Sequence, residues 1–320
     1  MRSAPLFLTQ ARKLAVLACL GALLSACVPQ GADLPTRATL PPLPRIDGTP
    51  AASPASEALR SYYAGLQAGL LSRGLMRTDT GSQDAPFTAR MLANNFIRIA
   101  LFDEFDSSTG NSIARTTESR LRRWDKPVRV GLNFGASVGQ PRRDSERVRV
   151  ASLLARLSQL TGLSIRLVDS QVNFYVYIVN EDERLALGPS VKANIPDLSN
   201  RDIASLLNMP SSTYCQVSAM VDRDTSLYHR SFAVIRAEHP DLLHLSCLHE
   251  EISQGLGLPN DSPTARPSIF NDDQEFALLT PMDELMLKML YDPRLTPGMT
   301  VPEARPIVER IAEELIGGGA

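Results

Sequence analysis

Residues 240–260, PDLLHLSCLHEEISQGLGLPN, constrain the fold more than any other part of the chain. Leu242, Leu245, Leu248, Ile252 and Leu256 stand at i, i+3, i+6, i+10 and i+14, one apolar stripe of a helix. Asp241 lies in the first turn, where the helix dipole favours an acid. Gly255 and Gly257 end the helix, and Pro259 prevents its continuation. Such a stripe needs a layer to cover it, and the upstream sequence supplies strands. Val128, Val130, Leu132 and Phe134 alternate with Arg129, Gly131 and Asn133. Residues 164–168, 173–179, 216–221 and 231–236 read as further strands, with a polar hairpin or loop between the last two. A helix over about 145–160, entered through a turn at Arg142, Arg143 and Asp144, stops at Gly162. This mixture predicts an α+β fold: a mixed β-sheet packed against helices. No internal repeat of 20–50 residues is visible.

Two helices precede this body. Ser56 reads as an N-cap, followed by Leu59, Tyr62, Tyr63, Leu66, Leu70 and Leu71 at helical spacing, with Gly74 at the C-cap. A second helix is expected over about 85–105, with Asp103, Glu104 and Asp106 in a solvated turn at its end. Both helices are expected to pack on the main body. Ahead of them, residues 28–57 hold seven prolines among Ala, Thr and Gly. That composition packs no core and reads as a semi-rigid stalk.

The first 26 residues read as a targeting segment. Arg2, Arg12 and Lys13 are followed by an eleven-residue apolar run from Leu14, short of the roughly 20 residues that span a bilayer. The run ends in Leu24-Ser25-Ala26-Cys27, which resembles the bacterial lipobox. That resemblance implies cleavage before Cys27, lipidation of its thiol and a membrane anchor. Val28, rather than Asp, at the next position implies the outer membrane, facing the periplasm. Cys19 is then lost and Cys27 lipidated, which leaves Cys215 and Cys247. In an oxidising compartment these two are expected to form a disulfide, the alternative being two small buried thiols.

Composition narrows the function classes. With 33 basic and 35 acidic residues in 320, the chain has no electrostatic footprint for nucleic acid. Length alone suggests about two domains. No G-x-S-x-G elbow, phosphate loop or dinucleotide fingerprint occurs. His239, His244 and His249 are five apart, about 140° of helix rotation per step, and so share no face. With His229 they are expected to be structural or solvated; His249 and Glu250 form at most a weak proton-transfer pair.

Glu250-Glu251-Ile252-Ser253-Gln254-Gly255-Leu256-Gly257-Leu258-Pro259-Asn260 resembles the helix of zincin peptidases of the metzincin and matrixin type, H-E-x-x-H-x-x-G-x-x-H. Glu251 matches the catalytic glutamate and Gly257 the turn glycine. Glu250, Gln254 and Asn260 stand at the three ligand positions in place of histidine. Downstream, Ser268-Ile269-Phe270-Asn271 falls where those enzymes carry a Met-turn. Residues 279–291 then resemble the matrixin closing helix, with Thr280 and Asp283 at capping-box spacing and Pro281 at N1. The block also resembles an uncharacterised family of bacterial lipoproteins with a zincin-like domain of unknown function.

The resemblance implies a zincin-like domain over 120–300, preceded by a signal peptide (1–26), a lipidated linker (27–57) and a helical region (58–110), and followed by a C-terminal helix and tail (301–320). The oxygens of Glu250, Gln254 and Asn260 suit zinc poorly, so no cofactor is expected beyond a weakly held hard cation, with Asp261 as an extra carboxylate. The expected role is a non-catalytic, pseudo-peptidase module that binds an envelope peptide or protein partner. The alternatives are an envelope peptide hydrolase with Glu251 as general base, and an assembly scaffold that uses the front helices.

Overall fold

A computed structural model describes residues 51–106 and 113–317. The signal segment, Cys27 and nearly all of the stalk lie outside the described residues. The order of elements is α1 (Pro54–Ser72), α2 (Ala89–Ala100), β1 (Phe102–Asp106), β2 (Ile113–Glu118), β3 (Val128–Phe134), α3 (Gln140–Thr161), β4 (Ile165–Leu167) and β5 (Phe174–Val179). Then come α4 (Glu181–Leu185), α5 (Gly188–Asn194), α6 (Asn200–Leu207), β6 (Cys215–Val221), β7 (Tyr228–Arg236), α7 (Asp241–Gln254), α8 (Pro281–Leu290) and α9 (Val301–Gly317).

The expected α+β architecture is observed. Five strands form a mixed sheet in the order β4-β3-β5-β7-β6. β3, β4, β5 and β7 are parallel, and β6 returns antiparallel to β7 through a hairpin over 222–227. Alternation along β5 and β7 divides the apolar side chains between two faces. Phe174, Val176, Ile178, Ala233 and Ile235 join the larger core with α2, α3, α7, α8 and α9. Tyr177, Val179, Phe232 and Val234 pack against Val191 of α5, Ile195 and Leu206 of α6. Central strands buried on both faces explain why 174–179 and 231–235 are nearly continuous apolar runs.

Several sequence expectations are corrected. The second helix ends at Ala100 rather than near 105, and residues 102–106 pair as a strand with β2. Asp103 is accordingly no solvated turn residue: it is paired with Arg122. α1 begins at Pro54, capped by Ser53, because proline is pre-organised for a first turn. Ser56 lies inside that helix, fully buried, and donates to Glu238 Oε1 at 2.7 Å. Arg142, Arg143 and Asp144 form the first turn of α3, which starts at Gln140 and ends at Gly162 (φ 70°) as expected. Helices α4 to α6 fill a segment to which the sequence pattern assigns nothing. Two of them are capped by reciprocal boxes, Asn180 with Glu183 and Ser199 with Asp202.

The disulfide between Cys215 and Cys247 is present, with Cα atoms 5.9 Å apart. It fastens the first residue of β6 to the middle of α7. Closing a loop of this sequence separation, 32 residues, removes unfolded-state entropy worth about 3–4 kcal/mol. The double substitution Cys215→Ala/Cys247→Ala is therefore expected to lower the unfolding free energy by roughly that amount, read by linear extrapolation of urea unfolding, with a slope that rises as the denatured chain expands.

Candidate functional site

The site is organised by α7 and the chain that leaves it. α7 runs between the β6–β7 hairpin and α1, and residues 277–279 close over its far side. This explains a departure from the single-stripe expectation. Leu248, Ile252 and Leu256 are buried as expected, but so are Leu243, His244, Ser246, Cys247, His249, Glu251 and Ser253. Leu242 and Leu245 are only half-buried. A helix covered on most sides no longer shows a clean amphipathic stripe.

The turn after α7 admits no side chain at two places. A Cβ on Gly257 (φ 129°) would sit 2.5 Å from the carbonyl oxygen of Arg122. A Cβ on Gly255 would meet the Phe174 ring at 2.5 Å. The close approach lets Trp124 Nε1 donate to Gly255 O (2.9 Å) and Tyr291 Oη donate to Leu256 O (2.9 Å). Helix α8 is tied back in a similar way. Asp283, fully buried, accepts from Ser268 Oγ (2.5 Å), Ile269 N (3.0 Å), Thr280 N (2.8 Å) and Thr280 Oγ1 (2.9 Å). The capping box read from Thr280 and Asp283 is formed. It also holds the 268–271 turn, whose Phe270 is buried in the main core. Burial pushes the Asp283 carboxyl up to about 6, against the pull of its four donors.

Two of the three candidate ligand positions are engaged with other protein groups. Asn260 is buried, and its Nδ2 donates to the Arg98 carbonyl at 2.8 Å; its backbone N donates to Ile99 O. Gln254 Nε2 donates to Asp261 Oδ1 at 3.3 Å. Glu250 is half-buried, and Glu251 is only 4% exposed. Two of the three positions thus have their amide nitrogens committed to protein oxygens, and a set of two amide oxygens and one carboxylate suits zinc poorly. The residues do not fit a zinc ion held by positions 250, 254 and 260. A different set converges: Cys215 Sγ and carboxylate oxygens of Glu250 and Glu251 lie within 4.8 Å of one another.

Three histidines are buried, as the structural reading expects, and His229 is exposed. His244 Nε2 lies 3.3 Å from Glu146 Oε2 of α3, both side chains sealed from solvent. Sequence reasoning misses this pair, because nothing local links two residues so far apart. His239 packs edge-on against Tyr63 of α1, with Nδ1 3.9 Å from Cys247 Sγ. His249 Nδ1 accepts from the Leu279 amide.

Burial drives all three histidines towards the neutral form. His239 is well below its ordinary value, with His244, Arg236 and Arg142 adding repulsion. His244 is lowered by burial, with Glu146 opposing and Arg142 and Arg149 reinforcing the shift. His249 falls to about 4 through burial and the charge of Arg156. For Glu146, burial acts upward, but His244, Arg142 and Arg149 hold the carboxyl below its usual range.

The family model described as "Protein of unknown function (DUF2927)" matches residues 89–310, and the chain belongs to that family. The match takes in the whole sheet and α7, and leaves out α1. No curated protein matches the chain.

The histidines generate an acid response with a definite sign. Below about pH 6.5 the unfolded chain protonates three histidines that the fold keeps neutral, so stability present above that pH is lost as pH falls. Asp283 acts oppositely, since its raised value lets the folded state take up a proton first between about pH 6 and 4. The three histidines outweigh this one opposing carboxyl, and the lowered Glu146 acts with them, so the unfolded chain binds more protons as pH falls. The urea midpoint is therefore expected to drop continuously from pH 7 to pH 5; a flat or rising profile contradicts it. Gly257→Ala is expected to destabilise by more than about 2 kcal/mol through its positive φ and the Arg122 clash, measured in the same way.

Proposed function

We propose that this protein is a lipid-anchored envelope module, attached through Cys27 to the outer membrane on its periplasmic side. In this reading the zincin-like domain binds an envelope peptide or protein segment at the outer edge of β6 without cleaving it. The carrying observation is the use of Asn260 and Gln254 as hydrogen-bond donors to Arg98 O and Asp261. A zincin peptidase site uses imidazoles at those positions, and neutral amides anchored through their nitrogens are poor replacements for them.

Other features support the reading. Helix, tight glycine turn, buried loop and closing helix follow one another in the order that the resemblance implies, on a mixed sheet. On this reading the zincin framework is kept in form while its ligand chemistry is lost. Glu251, the residue a hydrolase would use as general base, is almost wholly buried and poorly placed to reach a bound water. β6 pairs with β7 alone among the described strands. Its outer edge offers backbone donors and acceptors to an added extended segment, a mode that needs no catalysis.

Three measurements test this reading. The protein isolated with its disulfide intact is expected to carry no stoichiometric zinc; tightly held zinc overturns the non-catalytic reading. Cys27→Ala is expected to move the protein from the membrane to the soluble fraction, and unchanged membrane association removes the anchor. A pool of envelope-derived peptides is expected to yield binders that are recovered uncleaved. Turnover that disappears in Glu251→Gln, with the fold intact, favours the hydrolase instead.

A further inference from the structure

We infer that Cys215, Glu250 and Glu251 form a zinc site that exists only while the Cys215–Cys247 disulfide is open. The inference is independent of the binding-module reading, which concerns the oxidised protein and a ligand set that shares only Glu250 with this one.

The geometry carries the inference. One sulfur and two carboxylates lie within 4.8 Å of one another, close enough that small side-chain rotations bring all three ligand atoms to about 2.0–2.3 Å from a shared ion. Two of the three come from consecutive residues of α7, and the third from the first residue of β6. β6 packs directly on α7, with the Cα atoms of Cys215 and Cys247 5.9 Å apart, so the fold keeps the donors close when the disulfide is open. Half-exposed Cys215 and Glu250 give an entry path, while Glu251 is buried beneath. The two ends of the disulfide also differ. Cys215 faces the carboxylates. Cys247 is buried, 1% exposed, against His239 Nδ1. Opening the bond leaves Cys247 as a sequestered thiol and Cys215 as the ligand.

In the disulfide neither sulfur carries charge, and Cys215 is a negligible ligand. A dithiol reductant opens the bond: its two thiols are oxidised to a disulfide, and Cys215 and Cys247 each end as a thiol. Zinc then displaces the proton of Cys215. Without metal, two adjacent carboxylates disfavour the thiolate; with zinc between them, the same charges favour the complex. One thiolate and two carboxylates make a three-ligand set that leaves a fourth position for water.

The test uses the full chain with Cys19→Ser and Cys27→Ser, so that only the two cysteines in question remain. Zinc affinity is read by competition with a chromophoric chelator, and the protected thiol by alkylation and mass spectrometry. The oxidised protein is expected to bind at least tenfold more weakly than the protein reduced by a dithiol and freed of reductant. Adding Cys247→Ser leaves Cys215 permanently free and is expected to bind one zinc without any reductant, shielding Cys215 from alkylation. Adding Cys215→Ser breaks the same disulfide and is expected to lose that binding. Glu250→Gln and Glu251→Gln, each placed on the Cys247→Ser protein, are expected to weaken it at least tenfold, while Gln254→Ala leaves it unchanged. Equal affinity in oxidised and Cys247→Ser proteins overturns the inference. So does equal binding by the two single-cysteine proteins, loss on Gln254→Ala, or failure of a folded or unfolded Cys247→Ser protein to bind.

Discussion

The turn that follows α7 governs much of the molecule. Because residues 255 and 257 lack a Cβ, the chain passes against the Arg122 carbonyl and the Phe174 ring at distances no other residue permits. Trp124 and Tyr291 then reach the two carbonyls that this approach presents. Four elements meet there: the lead-in to β3, the start of β5, the end of α7 and the end of α8. A slightly larger residue would separate the sheet from both helices, and with them the core clustered on the larger face.

Asp283 anchors the chain that follows in a comparable way, from the polar side. A fully buried carboxylate is tolerated because four donors from two short segments surround it. The 268–271 loop lacks regular secondary structure, yet its position is set by these bonds. Phe270 can therefore serve as a core residue although it lies in a turn.

Much of this is readable in the sequence wherever one interaction is local. Alternation locates β3, apolar runs locate β5, β6 and β7, and glycine and proline locate the end of α7. Thr280 and Asp283, three residues apart, announce the cap of α8. The failures share a cause. β1 reads as the tail of a helix because Phe102 and Phe105 continue the apolar run of α2, and only the pairing with β2 decides otherwise. Helices α4 to α6 are short, and their caps are visible only once the ends of the neighbouring elements are known. At the site, the unusual residue types at 250, 254 and 260 are legible, but their partners are not. Arg98, more than 150 residues before Asn260, carries no mark of its role. The Cys215–Cys247 pairing follows from counting; its neighbourhood, with His239 on one sulfur and two carboxylates near the other, does not.

The same disulfide gives the hairpin of β6 and β7 a topological property. Everything from Cys215 to Cys247 is a covalently closed ring that contains the antiparallel edge, its exposed turn at Asp222, Arg223, Asp224 and Thr225, and the first half of α7. A protease that cuts this turn, the most accessible backbone of the ring, opens the ring without releasing a fragment. The severed strands remain joined by the sulfur bridge and by the β6–β7 ladder. The outer edge of the sheet is thus held in place independently of the continuity of the chain that built it.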